Sequence, residues 1–435
     1  MKEKVRSILR LMILIIPSFV QAQSAFTLQN AIDTALRNNF DIRIARNNLE
    51  MSKISNSYGM AGGLPVVSAS AGDNYSGTYS NQQFADGSES IISNQRENSI
   101  NAGFSGSMVL FNGFRVVAAK ERLERLQNQS ELELNLQIQR AMADVMISYF
   151  DVIRQQNYLI TIRHLLDVSE QKLEIIKVRN KVGMADAASM LQAISDVNSS
   201  KQLLATQEMV IGQTKMDLLL LLGVKKPFIF DVDEMPEIDS TLRLESILQK
   251  LNMNPQYQSA EQQVLIDKQL VREVSAQRYP SVKFIAGYDY HQSDLNKGNL
   301  LMSRSFGPVA GITLQVPVFN GFIYKTQKDL AKIRVENSVL EKESLSSSLN
   351  SLALKTYLSY STTLDQLKSQ EENFRMAGQL VDVVMQKFNL GQATILDVKA
   401  AQTSYENAAN LLHNLKFSAK VAEIGLKQLT FSLSY

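Results

Sequence analysis

Residue types that could perform acid–base, nucleophilic or metal-dependent chemistry are sparse in this 435-residue sequence. The histidines, His164, His291 and His413, lie far apart, and none has a second ligand at the spacing of a metal site. There is no Cys, which excludes disulfides, thiolate metal sites and a lipid-modified N-terminal Cys. No nucleophile motif or pair of carboxylates stands out. The sequence therefore predicts no enzyme, no cofactor and no metal site.

Two short motifs each occur twice, at one common separation. A Phe-Asn-Gly-Phe motif ends at Phe114 and again at Phe322, and a glycine turn occurs at Gly183 and again at Gly391. The two copies of each motif are equally far apart in the chain, at a period far longer than that of a solenoid repeat. This period predicts one structural half built twice, as residues 23–240 and 241–435. The predicted strand-to-helix junctions are Phe111, Asn112, Gly113, Phe319, Asn320 and Gly321.

The N-terminal segment, positions 1–22, has the features of a secretory signal peptide. A basic segment precedes a short apolar run, Leu11 to Val20, and Val20-Gln21-Ala22 is a small-residue cleavage site. The alternative, a membrane anchor, is disfavoured because the run is shorter than the ~20 residues that a spanning helix needs. The formal net charge of +2 is concentrated in this leader, so no basic patch indicates nucleic-acid binding.

Long helices are predicted in both halves. The segment 114–181 contains no Pro, and a continuous helix of that length is far longer than a typical globular helix. Tip turns at 182–186 and 390–394 separate each long helix from a shorter one, at 187–222 and 395–429, and further helices are predicted at 27–60 and 242–278. A Pro-containing linker, 225–240, joins the halves. The coiled-coil seam of the first long helix is predicted at Leu159, Ile162, Leu166, Leu173 and Ile176.

Each half also contains a predicted β-hairpin, at 65–110 and at 280–317. Apolar and polar residues alternate strictly, and polar stretches at 80–97 and 292–303 are predicted to be loops. One apolar face and one polar, Gly-rich face is the pattern of a transmembrane β-barrel. The alternative is a soluble sheet with one face on a core. Tyrosines on the apolar faces favour the membrane interpretation, because tyrosine is enriched at membrane interfaces. They are Tyr75, Tyr79, Tyr288 and Tyr290.

Four strands cannot close a barrel, and open sheet edges are not tolerated in lipid. Eight strands roughly fill their own interior with side chains. A homotrimer contributing 12 strands is therefore the smallest arrangement with an open lumen, and the long helices would extend from one rim as a tube. The predicted fold class is a mixed α and β membrane protein with a trimeric 12-stranded transmembrane β-barrel, a long antiparallel coiled-coil tunnel and an internal structural duplication.

The sequence resembles the TolC family of outer-membrane efflux channels over essentially its whole length. The resemblance is carried by the duplication, the two junction motifs, and the second tip, Phe388 to Val398, with Ala400-Ala401-Gln402 after it. It implies a trimeric channel in the outer membrane of a Gram-negative bacterium with a periplasmic extension. The implied partners are outer-membrane lipid, a periplasmic adaptor protein and an inner-membrane pump. The implied adaptor-docking residues are Val182, Gly183, Met184, Leu390, Gly391 and Gln392.

The resemblance also implies an acidic ring at a closed periplasmic aperture. Its first position falls on Asp397, whereas the next falls on Ala400, which cannot carry charge, and the first-half counterpart is Ser189. From the residues alone, Asp397 is equally well explained as an acid favoured by the dipole at a helix N-terminus.

The function predicted is the exit duct of a tripartite efflux pump, with gated, passive export of small molecules such as drugs. One alternative is the exit duct of a type I protein secretion system. Another, from a different class, is a soluble periplasmic coiled-coil scaffold. An adaptor with a long helical hairpin is disfavoured because the strands do not suit it. The sequence does not identify the substrate or the partner pump.

Overall fold

The fold combines long helices with one four-stranded sheet, which confirms the mixed α and β class. The computed structural model describes residues 26–226, 228–232, 237–298 and 300–433, so the predicted signal peptide lies outside the described residues. The helices are α1 (Leu28–Asn38), α2 (Phe40–Ser55), α3 (Arg115–Lys181), α4 (Ala187–Leu221), α5 (Leu244–Lys250), α6 (Pro255–Ser275), α7 (Ile323–Asn389) and α8 (Ile395–Leu429).

Helices α3 and α7 each contain 67 residues, and α4 and α8 each contain 35. At 1.5 Å per residue, a helix as long as α3 measures about 100 Å. The first and last residues of α7 and α8 follow those of α3 and α4 at the same separation as the repeated sequence motifs. Among the described helices, none combines the length and apolar character that a membrane span needs.

The sequence predicts one continuous helix at 27–60 and, within the helix at 242–278, a kink at Asn254-Pro255. In the structure both helices are broken. Asn39 separates α1 from α2: its side-chain oxygen accepts from the N–H groups of Asp41 and Ile42, and its amide donates to the Leu221 carbonyl at 2.8 Å. Asn254 likewise caps α6 by accepting from Gln256 N–H at 2.8 Å, with a proline at the first helical position. Asparagine competes for backbone groups and so starts new helices at both places.

The sheet is antiparallel throughout, in the order β1-β2-β3-β4. Its strands are β1 (Val66–Gln83), β2 (Glu89–Phe111), β3 (Ser281–Leu295) and β4 (Met302–Gln315). The polar stretches predicted to be loops are therefore largely strand, and the connections within each hairpin are only a few residues long. Pairing continues through polar residues, such as Gln83 with Glu89, because the backbone supplies the hydrogen bonds whatever the side chains are.

Pairing between β2 and β3 aligns the apolar faces that the alternation predicts. Phe104 pairs with Tyr288, and their rings stack at 6.2 Å between centroids. Met108 pairs with Phe284, which pairs in turn with Ile312 of β4. The neighbouring strands therefore present one continuous apolar surface.

A bulge near the end of β2 changes the register of this pairing. It lies between Val109, which pairs with Lys283, and Phe111, which pairs with Val282. Phe111 consequently joins the apolar face, whereas Val109 lies with Lys283 on the polar face.

Two compact units divide the chain, and each takes segments from both predicted repeats. The helical unit comprises the described residues of Met1–Arg43, Gln137–Lys250 and Ser351–Tyr435. The sheet unit comprises Ile44–Leu136 and Leu251–Asn350. The boundaries of the predicted repeats themselves remain a prediction.

The main core of the helical unit surrounds two aromatic residues of α3. Tyr149 and Phe150 are almost completely buried, and the Tyr149 hydroxyl donates to the Phe26 carbonyl at 2.8 Å. Residues of α1, α4 and α8 pack around them, such as Ile32, Leu218 and Ile424. This core therefore joins helices from both halves of the sequence.

The buried seam of α3 differs from the prediction. Ile162 and Ile176 are buried as expected, but Leu166 and Leu173 are only half-buried, and Leu159 is half-buried as well. Between these two isoleucines, the buried residues at the three-and-four spacing of a coiled coil are Leu165, Ser169 and Lys172. Two of these three residues are polar. The apolar pattern does not reveal this seam, because Lys172 is buried through an ion pair described below.

Candidate functional site: the helix tips

The turn between α3 and α4 is a helix end of a defined type. Gly183 has a φ of +76°, in the left-handed region that favours glycine. Its N–H donates to the Asn180 carbonyl at 3.1 Å, and Met184 N–H donates to the Arg179 carbonyl at 2.7 Å. These two bonds form a Schellman motif, which satisfies carbonyls that the helix leaves free. Asp186 then caps α4 by accepting from a backbone N–H at 2.8 Å.

The turn between α7 and α8 has the same backbone geometry. Gly391 has a φ of +78°, its N–H donates to the Phe388 carbonyl at 3.1 Å, and Gln392 N–H donates to the Lys387 carbonyl at 2.8 Å. Each of these residues is the counterpart, in the second half of the chain, of one in the first tip. The glycines therefore have the capping role that their positions predict, and the equal geometry gives both tips the same exposed turn.

The predicted docking residues at both tips are exposed. Met184 is 78% exposed, Leu390 is 72% exposed and Val182 is 65% exposed. The remaining predicted docking residues are exposed as well, namely Gly183, Gly391 and Gln392. Apolar side chains held in solvent on a well-defined turn are typical of a surface that binds another protein. Their docking role stays a prediction, because exposure alone does not identify a partner.

Asp397 lies in the first turn of α8, where it forms a capping box with Thr394. One carboxylate oxygen accepts from the backbone N–H and the hydroxyl of Thr394, both at 2.8 Å, while the Thr394 hydroxyl accepts from Asp397 N–H at 3.2 Å. These hydrogen bonds from Thr394 lower the pKa of Asp397 below its ordinary value. The side chain is exposed and charged at neutral pH. The helix-capping role is thus present, and the gating role remains a prediction.

Arg179, a residue that the sequence pattern did not single out, joins the two tips. Its guanidinium donates to the Phe388 carbonyl and, at 3.4 Å, to the Asn389 carbonyl, and it lies 4.8 Å from the centre of the Phe388 ring. Both carbonyls belong to the last turn of α7, whose partial negative charge attracts cations. The sequence does show that Arg179 is a basic residue in the last turn of α3, where it would be expected to interact with the carbonyls of its own helix. It does not show that Arg179 binds the end of α7.

A buried ion pair lies behind the tips. Lys172 of α3 is fully buried and donates to Asp196 of α4 at 2.5 Å, and Lys399 of α8 lies 3.5 Å from the same carboxylate. Burial acts to raise the pKa of Asp196, but the hydrogen bond and charge of Lys172, assisted by Gln192 and Lys399, outweigh it and leave the pKa below its ordinary value. The carboxylate therefore stays ionised and connects three helices.

Gln402, part of the motif that carries the resemblance, is a buried contact between α8 and α3. Its amide donates to the Leu165 carbonyl at 3.2 Å and to the Ser169 hydroxyl at 2.9 Å. The apolar core nearby includes Val168 and Val398. Within the described ranges, no group of three or more His, Asp or Glu residues is arranged to hold a metal ion.

The predicted junction residues lie in the sheet unit, where two glycines form the turns into α3 and α7. Gly113 and Gly321 have φ angles of +69° and +63°, and each is followed by a phenylalanine at +65°. A Cβ at Gly113 would lie 2.8 Å from the Ala276 carbonyl oxygen. This position therefore requires glycine both for its backbone conformation and for the space around it.

The other junction residues repeat their contacts in both copies of the motif. The Asn112 carbonyl accepts from the backbone N–H three residues later at 3.3 Å, and the Asn320 carbonyl does the same at 3.4 Å. Phe111 and Phe319 each pack edge-on against the phenylalanine three residues later. The repeated motif thus encodes one turn that connects a strand to a long helix.

Comparison with known proteins identifies the class of molecule that this fold represents. The model of the family described as "Outer membrane efflux protein" matches residues 31–224 and 247–430. A similar relative is the probable efflux pump outer membrane protein TtgC of Pseudomonas putida, 23% identical over 406 residues that cover 92% of this chain and 81% of TtgC. Another is the pyoverdine export outer membrane protein OpmQ of Pseudomonas aeruginosa, 23% identical with coverage of 93% and 85%.

The crystal structure of the outer membrane protein VceC of Vibrio cholerae shares the fold, with a TM-score of 0.72, 18% identity, and coverage of 93% of this chain and 95% of VceC. Together these matches define a protein of the outer-membrane channel class. The chain belongs to the outer membrane efflux protein family. It is a protein of the outer membrane with a transport function, and its family is one of channel proteins rather than enzymes. The soluble-scaffold alternative is thereby excluded.

Proposed function

We propose that this protein is the outer-membrane exit duct of a tripartite pump that exports small molecules. The observation that carries the proposal is the pair of helix tips with one backbone geometry, on a chain of the outer membrane efflux protein family. The relatives named above belong to an efflux pump and to pyoverdine export, so small molecules are the favoured cargo. Transport is passive in this chain, and a partner pump supplies the energy.

The conducting form is a homotrimer with a 12-stranded barrel and a helical tunnel. The sheet order leaves one edge of β1 and one edge of β4 without a partner strand in the described chain. Unpaired edges in a bilayer leave backbone groups without hydrogen bonds, and pairing between copies removes them. Helix bounds that recur at the separation of the sequence motifs support a duplicated half, so three copies supply six similar tips.

The trimer is tested with protein purified from outer membranes in detergent. Native mass spectrometry is expected to give three chains per particle, and planar bilayers are expected to show cation-selective pores of one main conductance. A stable monomer without pore activity would contradict the duct. The experiment needs no assumption about the substrate.

The tips are the proposed docking surface for a periplasmic adaptor. The double variant Met184→Asp with Leu390→Asp is expected to reduce co-purification of the adaptor at least tenfold, because it places charge on both exposed turns. A matched control is Leu220→Asp, since Leu220 is equally exposed, at 74%, and lies near the other end of α4. Equal loss in the control would argue against docking at the tips.

The same purification separates the two pump classes. Cross-linked inner-membrane partners identified by mass spectrometry are expected to include a small-molecule efflux pump. Recovery of an ATP-driven protein exporter instead would support the type I secretion alternative and contradict the proposed cargo class, while leaving the duct itself in place.

A further inference from the structure

A cavity in the sheet unit lies where the end of β2 meets the helices. It has a volume of about 580 Å³ and lies between the end of β2, the first turn of α3, the end of α6 and the start of α7. Its lining combines apolar and aromatic side chains with two basic ones, and it includes Phe111, Phe114, Val271, Tyr279, Arg272 and Lys328. No role in adaptor docking or gating accounts for it, because it belongs to the sheet unit and contains none of the tip residues.

The register of the sheet shows which face this cavity continues. Phe111 pairs with Val282 after the bulge, so it shares the apolar face with Phe104. Val109 and Lys283 lie on the opposite, polar face, and both line a different cavity. The cavity beside Phe111 therefore extends the apolar face of the sheet toward the helices. On the proposed barrel, to which this inference is tied, that face contacts lipid.

A strained aromatic residue lines the cavity. Phe114 has a φ of +65°, which a bulky residue rarely adopts, and is 69% exposed. Its ring packs edge-on against Phe111 at 5.6 Å between centroids. The close approach of Gly113 to Ala276 and Tyr279 fixes this turn. Aromatic rings at the level where a chain leaves the bilayer are typical of the membrane interface.

The net charge of the side chains that line the cavity is positive. Arg272 is balanced by Glu121 at 2.7 Å, so it contributes a neutral pair. Lys328 is half-buried and forms no ion pair with any residue in the described ranges. A lysine in this setting is a point charge suited to a phosphate, and basic pockets beside apolar surface bind anionic lipid headgroups. A phospholipid would satisfy both the positive charge and the apolar lining, with its phosphate at Lys328 and an acyl chain along the phenylalanines.

We propose that this cavity binds one anionic phospholipid of the phosphatidylglycerol type, with its phosphate at Lys328 and its acyl chain against Phe111 and Phe114. The lipid occupies the cavity at the boundary between the apolar face of the sheet and the polar helices. Each chain has one such site. The binding is reversible and involves no covalent step.

The test uses the absence of Trp from the sequence. Phe114→Trp introduces the single Trp of each chain at the cavity, where its emission is separable from that of the tyrosines. The full-length protein is reconstituted into vesicles that contain brominated phosphatidylglycerol or brominated phosphatidylcholine. Half-quenching is expected at an at least threefold lower mole fraction of the anionic lipid. Phe322→Trp is the matched control, since Phe322 has the same φ and similar exposure but does not line the cavity. It is expected to show no lipid preference.

Charge variants identify the phosphate contact. In the Phe114→Trp protein, Lys328→Gln is expected to abolish the preference and Lys328→Arg to retain it. Lys342→Gln is the control, because Lys342 is also half-buried on α7, about 21 Å further along the helix, and lies outside the cavity. Equal quenching by both lipids before the charge is changed, or a preference that survives Lys328→Gln, overturns the proposal.

Two further measurements distinguish a lipid from a free anion and cover the case in which the Trp variant does not assemble. Inorganic phosphate at constant ionic strength is expected to leave the preference intact, whereas its loss would assign the site to a free anion and overturn the lipid. If Phe114→Trp fails to assemble, native mass spectrometry of the otherwise unaltered protein compares phosphatidylglycerol retained with and without Lys328→Gln; equal retention overturns the proposal. Pore conductance in the same preparations separates failure of this site, with pores intact, from failure of the proposed duct.

Discussion

The Asp397 carboxylate caps the N-terminus of α8, the helix to which Asp397 belongs. The sequence allows a helix cap and an aperture charge equally, and the structure shows the cap, through reciprocal bonds with Thr394. The two roles are compatible, because the cap occupies one carboxylate oxygen and the group stays exposed and ionised. Separating them requires a substitution that removes the charge and keeps the cap.

Asp397→Gln is such a substitution, since Gln at the third helical position can also complete a capping box. Three copies of Asp397 at an aperture would attract cations, so the variant is expected to lower cation selectivity at least twofold in planar bilayers. Asp397→Glu, which retains both charge and cap, is the control and should behave as the parent. If Asp397→Gln and the parent have the same selectivity and resting conductance, Asp397 acts only as a cap.

At the scale of the helices, the Lys172–Asp196 pair explains why the α3 seam departs from its apolar pattern. A lysine in a coiled-coil seam is unfavourable unless its charge is compensated, and here the carboxylate of α4 lies 2.5 Å away. Apolar spacing alone favoured Leu166 and Leu173, which are only half-buried. The helices themselves were predictable from composition, whereas the rotation of α3 about its axis was not.

Lys172→Ala is expected to destabilise the helical unit by up to about 3–5 kcal/mol, because it leaves the buried carboxylate with only Gln192 and the more distant Lys399 as partners. The double variant Lys172→Met with Asp196→Leu removes both charges and should recover most of that loss. Thermal unfolding followed by circular dichroism measures both. A double variant as unstable as Lys172→Ala would show that the damage comes from packing rather than from an unpaired charge.

Acid should weaken the same pair. The folded-state pKa of Asp196 lies below its unfolded value of about 3.9, so its contribution is fully present above that pH and is lost as pH falls through the folded value. The parent should therefore lose stability relative to the double variant, which lacks this carboxylate, below about pH 4. A difference that stays constant to lower pH would contradict this assignment.

At the scale of the whole molecule, Arg179 connects the two halves of the chain at the tips. It lies at the end of α3 in the first predicted repeat and binds carbonyls at the end of α7 in the second. Adaptor docking at the tips would shift an equilibrium between closed and open arrangements only if it favours one of them. A contact that holds the two tips together favours the arrangement seen here.

Arg179→Gln is therefore expected to raise the resting conductance in planar bilayers, because it removes the cation from the end of α7. Lys177→Gln is the control, since Lys177 is half-buried nearby on α3, as Arg179 is, and pairs only with Glu174 within the same helix, among the residues that the structure describes. An increase of at least twofold in the Arg179 variant alone is the expected result. Equal currents in the parent and both variants would show that Arg179 does not hold the tips closed.

By itself, the sequence determined the long helices, the four strands, the glycine turns and the family, because these follow from local periodicity, from glycines at positive φ and from motifs repeated at one separation. It did not determine the strand ends at Gln83 and Leu295, the break at Asn39, or the contacts of Arg179 and Lys172. Backbone pairing extends strands through polar residues, and long-range hydrogen bonds decide where polar side chains are buried. Only the tertiary structure brings those partners together, from positions far apart in the chain.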